Sequence, residues 1–340
     1  MLRIGIAGFG FMGRMHYRCW QQLADARVMA ICDVNPNIVE DTAKGVAGNI
    51  KGAAEEIDFS GIEVFTDFEE LLASGNIDAV SITLPTYLHA ECSIKALESG
   101  HNVLCEKPMA LNSADCQRMI DVARASGKVL QIGHCIRFWP EYAKTKEIID
   151  SGKYGGVIAA SFRRICAAPA WAWENWLADE QRSGGMVLDL HIHDSDYVQY
   201  LFGLPPAVHS FAAKQSGKGT AHIVTQYLYG DDRLVTAEGG WAMSASFSFE
   251  MSFNIVLEKA TLVYDCTRQP VFRICPAEGE AFSPPVQSGD GYSRQIDHFA
   301  KVVGGEKIEP VTTLKQSRDS VRLVEAEKES VRTGSKVLLK

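Results

Sequence analysis

Positive charge is in short supply in this sequence: 34 Lys and Arg face 42 Asp and Glu, a formal net charge of −8 with His neutral. That balance argues against a sequence-independent grip on nucleic acid, and no basic run or block of like charge points the other way. No apolar stretch reaches the length of a membrane span, and the first residues read as a core strand rather than a secretory signal. These absences predict a soluble, cytoplasmic protein. The nine cysteines (19, 32, 92, 105, 116, 135, 166, 266 and 275) are scattered, several inside apolar runs, and never form C-x-x-C. An odd count without zinc-type spacing reads as reduced, mostly buried thiols. Internal repeats and low-complexity stretches are missing too. What 340 residues at 46% hydrophobic content do allow is two domains with ordinary buried cores.

The most informative feature present is Ile4-Gly5-Ile6-Ala7-Gly8-Phe9-Gly10-Phe11-Met12-Gly13, with Gly8, Gly10 and Gly13 in G-x-G-x-x-G spacing. Twenty residues beyond Gly13, the apolar run Val28-Met29-Ala30-Ile31-Cys32 ends in Asp33. Strand, glycine turn, helix, strand, acid is the order of a dinucleotide-binding βαβ unit. Gly8 permits the tight turn, Gly10 lets the backbone approach a pyrophosphate, and Gly13 lets the helix pack closely on the strand. The free N–H groups of that helix, with Phe11 and Met12 in its first turn, then face the phosphates. Asp33 favours NAD over NADP. An acid there accepts hydrogen bonds from the ribose hydroxyls and repels a 2′-phosphate, and Val34 and Asn35 supply no adjacent arginine.

Residues 1–135 alternate short apolar strands (near 2–7, 27–32, 62–65, 78–83, 102–105 and 129–133) with helices (near 12–25, 36–47, 67–74, 87–99 and 113–126). The strands are near-continuous apolar runs, as a parallel sheet covered on both faces requires, and Gly100 and Gly127 sit where two helices should stop. This predicts a Rossmann-type doubly wound sheet, with ligands at the carboxyl ends of its strands. Residues 136–340 read as a second, α+β domain, the texture changing fully after about residue 153. Strands are expected at 157–165, 205–215, 220–229, 233–242, 247–257 and 260–265, and helices at about 184–202, 291–304 and 313–333. Turn pairs such as Gly217-Lys218-Gly219 and Gly230-Asp231-Asp232 separate the strands.

Three further segments bear on chemistry. Thr83-Leu84-Pro85-Thr86-Tyr87-Leu88-His89 leaves the fourth strand, so Thr83, Leu84, Pro85 and His89 are candidates to line a cofactor or to form an ordinary loop. Cys105-Glu106-Lys107-Pro108 ends the fifth strand, where Lys107 would point into the crevice above the sheet, and Pro108 fixes the chain, through a cis bond in one reading. In Gly184-Gly185-Met186-Val187-Leu188-Asp189-Leu190-His191-Ile192-His193-Asp194-Ser195-Asp196, a helix would put Asp189 and His193 on one face. A carboxylate beside an imidazole orients it and supports its protonated form, which makes a usable acid–base near neutral pH. The same run superficially resembles a metal-ligand cluster, and Leu188, Leu190 and Ile192 alternate as in a strand. Helical spacing continues through Tyr197, Val198 and Leu201, and no second His/Cys cluster completes a metal site.

With these motifs in order, the chain resembles the glucose–fructose oxidoreductase/inositol dehydrogenase/MocA (Gfo/Idh/MocA) family over nearly its whole length. Ile132-Gly133-His134-Cys135-Ile136-Arg137-Phe138-Trp139-Pro140 looks like the family's link between domains, and Leu201-Phe202-Gly203-Leu204-Pro205 like the exit from its Asp–His helix. The resemblance implies a second domain with a large, mostly antiparallel open sheet, through which the chains form homodimers or homotetramers. It implies NAD as cofactor, with Glu106 and Lys107 among the cofactor contacts, and no metal. It also implies a catalytic trio of Lys107, Asp189 and His193, acting on a secondary alcohol of a cyclic polyol, sugar or sugar derivative. Lys107, Arg137, Trp176, His191 and His193 are the expected substrate contacts. Trp171-Ala172-Trp173-Glu174-Asn175-Trp176 concentrates three of six tryptophans, suited either to a sugar face or to anchoring a loop. Two alternatives use the same scaffold: an NAD-dependent glycosidase or lyase working through transient oxidation, and a non-catalytic NAD-sensing regulator.

Overall fold

Continuous apolar runs bury both faces of a strand, and the first third of the chain uses them to build a parallel sheet. A computed structural model describes residues 1–42, 57–169, 172–215 and 219–339. β1 (Leu2–Ala7), β2 (Ala26–Cys32), β3 (Glu63–Phe65), β4 (Ala79–Ile82), β5 (Asn102–Glu106) and β6 (Leu130–Gly133) pair in parallel, in the order β3-β2-β1-β4-β5-β6. This is the doubly wound order, whose switch point lies between β1 and β4. The intervening helices are α1 (Phe11–Gln21), α2 (Ile38–Thr42), α3 (Phe68–Ala73), α4 (His89–Glu98) and α5 (Ser113–Ser126). α5 starts on Asn112, whose side chain accepts the Asp115 N–H, and stops at Gly127, whose φ of 67° suits glycine. Residues 43–47 of the expected second helix lie outside the described residues, as do Gly217 and Lys218 of one expected turn and Trp171.

Contacts divide the chain into two units. One comprises Met1–Cys135, Pro169–Trp176 and Asp290–Arg318, and the other comprises Ile136–Ala168, Leu177–Gly289 and Asp319–Lys340. Later elements are α6 (Pro140–Asp150), β7 (Val157–Ala167), α7 (Glu180–Ser183), α8 (Ile192–Phe202), β8 (Ala207–Lys214), β9 (Thr220–Leu228), β10 (Leu234–Met243), β11 (Glu250–Leu257), β12 (Ala260–Asp265), β13 (Phe272–Pro276), α9 (Gly291–Val303), α10 (Leu314–Thr333) and β14 (Val337–Leu338). Eight strands form one sheet, β13-β12-β11-β7-β10-β9-β8-β14, antiparallel except where β7 meets β10. One face carries an aromatic core. Tyr142 of α6 lies 4.7 Å from Tyr197 of α8 and 5.1 Å from Phe253 of β11, centroid to centroid, all in edge-on geometry.

Four elements were not anticipated: α6, the single-turn α7, β13 and β14. β13 and the two-residue β14 are too short to carry a period, and β14 exists because it pairs Val337 with Val208. α6 did leave a mark, a proline at its first turn. α9 differs from expectation in another way: its apolar face belongs to the first unit. Ile296 and Phe299 are fully buried among Ile4, Ile6 and Phe9, and Trp20 meets Phe299 edge-on at 6.1 Å. An amphipathic pattern gives the face that must be buried and not the core that buries it.

Candidate active site

The glycine turn after β1 has three distinct roles for its three glycines. Gly8 has φ of 85°, and a Cβ there would lie 2.8 Å from the Thr83 carbonyl oxygen. A Cβ on Gly13 would lie 2.1 Å from the Gly8 carbonyl oxygen, so only glycine lets α1 sit so close to the turn. Gly10 is the opposite case: a Cβ would meet no atom within 4 Å, and as N-cap it has no side-chain cap on the helix's first N–H groups. An open cradle at a helix N-terminus fits a pyrophosphate, with Phe11 and Met12 in the first turn. Asp33 follows directly on β2, beside the glycine turn. Its Oδ2 accepts the Phe9 N–H at 2.7 Å and its Oδ1 accepts the Asn35 N–H at 2.9 Å. Arg14 is buried and donates to the carbonyls of Phe9 and Thr42, at 3.5 and 3.2 Å, so this cation is directed inward.

The loops after β4 and β5 lie at the same edge of the sheet. The Thr83 hydroxyl donates to the Gly8 carbonyl at 2.6 Å, tying the β4 loop to the glycine turn, while Leu84 and Pro85 remain partly exposed. Lys107 is partly exposed in a run of buried neighbours, and its bond to Pro108 is cis. Two expected cofactor contacts are turned inward instead. His89 is 1% exposed and its ring lies between two backbone carbonyls. Glu106 is 5% exposed, with His16 Nε2 at 3.0 Å, the Lys107 N–H at 3.2 Å, and the bare Cα of Gly133 leaving it room. Burial pushes the Glu106 carboxyl up, but the hydrogen bond and charge of His16, together with Lys107, outweigh it and hold the group below its ordinary range.

In the second unit, the segment before α8 is a π turn, Val187–His191, in which the Ile192 N–H reaches back to the Val187 carbonyl. Such wide turns insert a residue into a helix and re-aim side chains. Partial exposure recurs at Gly185, Asp189 and His193, between buried Leu188, Leu190, Ile192 and Asp194. The neighbouring acids have partners. Asp194 takes a two-pronged contact from Arg164 of β7, at 2.9 and 3.1 Å, and Asp196 one from Arg137, at 2.8 and 2.7 Å. Among the described residues, no group of three His, Cys, Asp or Glu could hold a metal.

These contacts correct two expectations. Arg137 is 1% exposed, and its guanidinium fork is filled by Asp196 and backed by the Tyr200 ring at 4.6 Å, so it anchors α8 rather than facing a substrate. His191 is fully buried, lies over the bare Cα of Gly239, and has Nε2 3.6 Å from Glu327 Oε2, so it packs inside the unit. Burial, then Arg164 and His222, drive His191 down to about 3, leaving a neutral imidazole. Trp176 is partly exposed, next to Glu174 and Asn175, whose φ values of 46° and 52° are left-handed. Trp173 is 52% exposed.

A family model described as the oxidoreductase family with NAD-binding Rossmann fold matches residues 2–134, and the GFO/IDH/MocA C-terminal domain model matches residues 142–263. The chain belongs to the GFO/IDH/MocA family. Its cofactor site is therefore that of an NAD-binding Rossmann domain, in agreement with the open Gly10 cradle and with Asp33. Among relatives, 2,7-anhydro-N-acetylneuraminate hydratase of Mediterraneibacter gnavus is 30% identical over 70% of this chain and 61% of its own length. Myo-inositol 2-dehydrogenase of Thermotoga maritima is 31% identical over 59% of this chain and 55% of its own. The chain thus spans between half and two thirds of these relatives in the matched segments. The solved aldose-aldose oxidoreductase of Caulobacter crescentus shares the fold, with a TM-score of 0.83, 20% identity and 99% coverage of both chains.

Sequence reasoning about this family member missed its inner supports. His16 under Glu106 sits only three residues past Gly13, and nothing local marks it. Glu327 of α10 is fully buried, accepts the Ser195 hydroxyl at 2.9 Å, and is pushed by burial up to about 8, against the hydrogen bonds of Tyr227 and Ser195. An acid in an otherwise amphipathic helix reads as solvent-facing, so its burial had no sequence signal.

Proposed function

We propose that this protein is an NAD-dependent oxidoreductase moving a hydride between nicotinamide and a secondary alcohol of a cyclic polyol, sugar or sugar derivative. The supporting observation is the family match across both parts of the chain, with Lys107, Asp189 and His193 all partly exposed amid buried neighbours. Gly8, Gly10, Phe11, Met12 and Gly13 would hold the pyrophosphate, Asp33 the adenosine ribose, and Thr83, Leu84 and Pro85 the inner wall. Bound NAD supplies a hydride acceptor at C4 of its nicotinamide. His193 takes the hydroxyl proton as the carbinol hydride leaves, so a secondary alcohol becomes a ketone and one proton passes to the imidazole. Asp189 orients that imidazole and supports its charge. Lys107 binds the same oxygen and stabilises the negative charge developing on it. In the reverse direction the imidazolium returns the proton. Trp176 fits a sugar face.

A second reading has one specific support, the relative named as a hydratase. There the alcohol is oxidised transiently, an adjacent bond is eliminated or hydrated, and the hydride returns, with no net change in cofactor. One experiment separates the readings: purified protein with NAD or NADP and a panel of polyols, sugars and anhydrosugars, followed for both NADH and product. Net NADH formation supports the dehydrogenase, and product without NADH supports the second reading. Replacing His193 by Ala should lower kcat by about 10²–10⁴-fold. Turnover that survives both His193→Ala and Lys107→Ala would sink the assigned roles.

We further propose that the open face of the eight-stranded sheet joins two or four copies of the chain in the cytoplasm. Phe211, Val224 and Glu238 lie side by side across β8, β9 and β10, and Phe211 is 62% and Leu234 50% exposed. Among the described residues none of the nine cysteines is in a disulfide, as a reducing compartment favours. Among the described residues no helix is long and apolar enough to cross a membrane.

A further inference from the structure

One side chain holds, from behind, the residues on either side of His193. His191 and Ser195 are four positions apart and share a face of the turn into α8, while Asp189 and His193, also four apart, share the opposite face. Burial follows that division: His191 and Ser195 are fully buried, and Asp189 and His193 are partly exposed. Glu327 of α10 meets both buried residues. Its Oε1 accepts the Ser195 hydroxyl at 2.9 Å, and its Oε2 lies 3.6 Å from His191 Nε2. Two turns earlier in α10, Ser320 donates to Asp196 at 2.6 Å and accepts from Gln199 at 2.7 Å, so the same seam continues along α8.

The partners of Glu327 decide where its proton goes. Tyr227 donates to Ser195 Oγ at 3.1 Å, which leaves the Ser195 proton for Glu327 Oε1. Oε2 and His191 Nε2 then face each other in a fully buried site, and among the described residues neither has a hydrogen-bond partner. An ionised carboxylate there would be desolvated without a cation to offset the cost, because the guanidinium beside His191, that of Arg164, already grips Asp194. The same guanidinium disfavours a charged His191. A neutral acid facing a neutral imidazole avoids both costs. The carboxylic O–H is the stronger donor and the ring nitrogen the stronger acceptor, so the proton belongs on Oε2, directed at Nε2. The ring keeps its own proton on Nδ1, over Gly239, where a Cβ would come within 2.6 Å. Closing 3.6 Å to a bond of ordinary length takes a side-chain movement of less than about 1 Å. Burial raises Glu327 to about 8 and is the main cause that lowers His191 to about 3, in keeping with two neutral partners.

We propose that Glu327 is a neutral, two-pronged anchor for His191 and Ser195 that sets the aim of Asp189 and His193 at the substrate. Glu327 is a positioning residue: it acts through the turn it holds and not on the reacting atoms. The inference rests on the roles proposed above for Asp189 and His193.

Three variants of the full chain test the anchor. Glu327→Leu keeps the bulk and removes both contacts. Its kcat should fall by about tenfold to a hundredfold, as a displacement of about 1 Å at a reacting group does, while KM for the alcohol and NAD affinity move less than about twofold. Glu327→Gln keeps a neutral donor and acceptor and should restore kcat to within about twofold of wild type. His191→Leu combined with Glu327→Leu replaces both polar partners by apolar ones, a change close to neutral for folding, yet kcat should stay as low as in Glu327→Leu. Wild-type kcat in either leucine variant, or a Glu327→Gln as slow as Glu327→Leu, overturns the inference. If Glu327→Leu does not fold, the double variant supplies the same readout. Infrared spectra give an arm that needs no turnover: at neutral pH the wild type should show a carboxylic-acid C=O band that Glu327→Gln lacks. Identical spectra mean an ionised Glu327 and sink the proposal. Should the wild type oxidise no alcohol at all, the proposed dehydrogenase fails separately. The anchor is then judged by the NMR resonances of the His193 ring, which should move in the leucine variants and hold in Glu327→Gln. Resonances that hold in all three variants overturn it.

Discussion

At the end of β2, Asp33 is pinned by the N–H groups of Phe9 and Asn35, which keeps a carboxylate beside the glycine turn. Bringing a 2′-phosphate to that carboxylate juxtaposes like charges, which costs several kcal/mol. Asp33→Ser should therefore shift the ratio of NAD to NADP dissociation constants toward NADP by about tenfold to a hundredfold, measured by titration calorimetry. An unchanged ratio would refute the reading of Asp33. Glu327 governs a different property. Burial raises it from 4.5 to about 8, so the fold keeps a proton that the unfolded chain releases. Stability therefore falls as pH rises from about 4.5 to about 8. His191, lowered from 6.5 to about 3, acts in the other direction: stability falls as pH drops through that window. Glu327→Gln should raise the melting midpoint, with a gain that grows from pH 4.5 and levels off above about 8. A gain independent of pH would show that Glu327 is ionised in the fold. Asp33 was legible from its distance to Gly13, because the βαβ crossover fixes that spacing. Glu327 was not, because its burial depends on strands and helices far away in sequence.

Among the elements, α8 carries the most concentrated constraint. Two of its acids meet arginines from outside the helix, Arg137 ahead of α6 and Arg164 of β7, and Asp196 also accepts the Ser320 hydroxyl of α10 at 2.6 Å. Removing one partner of a buried pair strands the other charge, which costs about 3–5 kcal/mol. Arg137→Met should lose that much in denaturant unfolding, and the double variant Arg137→Met/Asp196→Leu should recover most of it. A single variant as stable as the wild type would remove the anchoring role. The run Asp189–Asp196 resembled a metal cluster only superficially, and its spacing favoured a helix that puts Asp189 and His193 on one face. The helical period was legible because apolar positions continue to Leu201. That the acids are arginine partners was not, since Arg137 and Arg164 lie far upstream. Nor was the π turn, which arises from backbone bonding and has no composition of its own.

For the assembled protein, the open sheet face makes the claim of a homo-oligomer testable. Phe211→Asp combined with Val224→Asp places two charges in the exposed apolar row and should convert the oligomer to monomers in sedimentation. A wild-type chain that sediments as a monomer would dispose of the oligomer. The sequence by itself determined the parallel sheet, its glycine turn and the acid at β2. These rest on local rules: unbroken apolar runs, turns that only glycine can make, and a crossover of fixed length. It also determined six of the eight strands of the second sheet, β7 to β12, whose alternation is a period of two. Only the tertiary structure decided that α9 belongs to the first core, that Arg137 and His191 face inward, and that His89 lies between two carbonyls. Each of those depends on which distant surface a side chain meets, and desolvation with hydrogen-bond geometry settles that after the chain has folded.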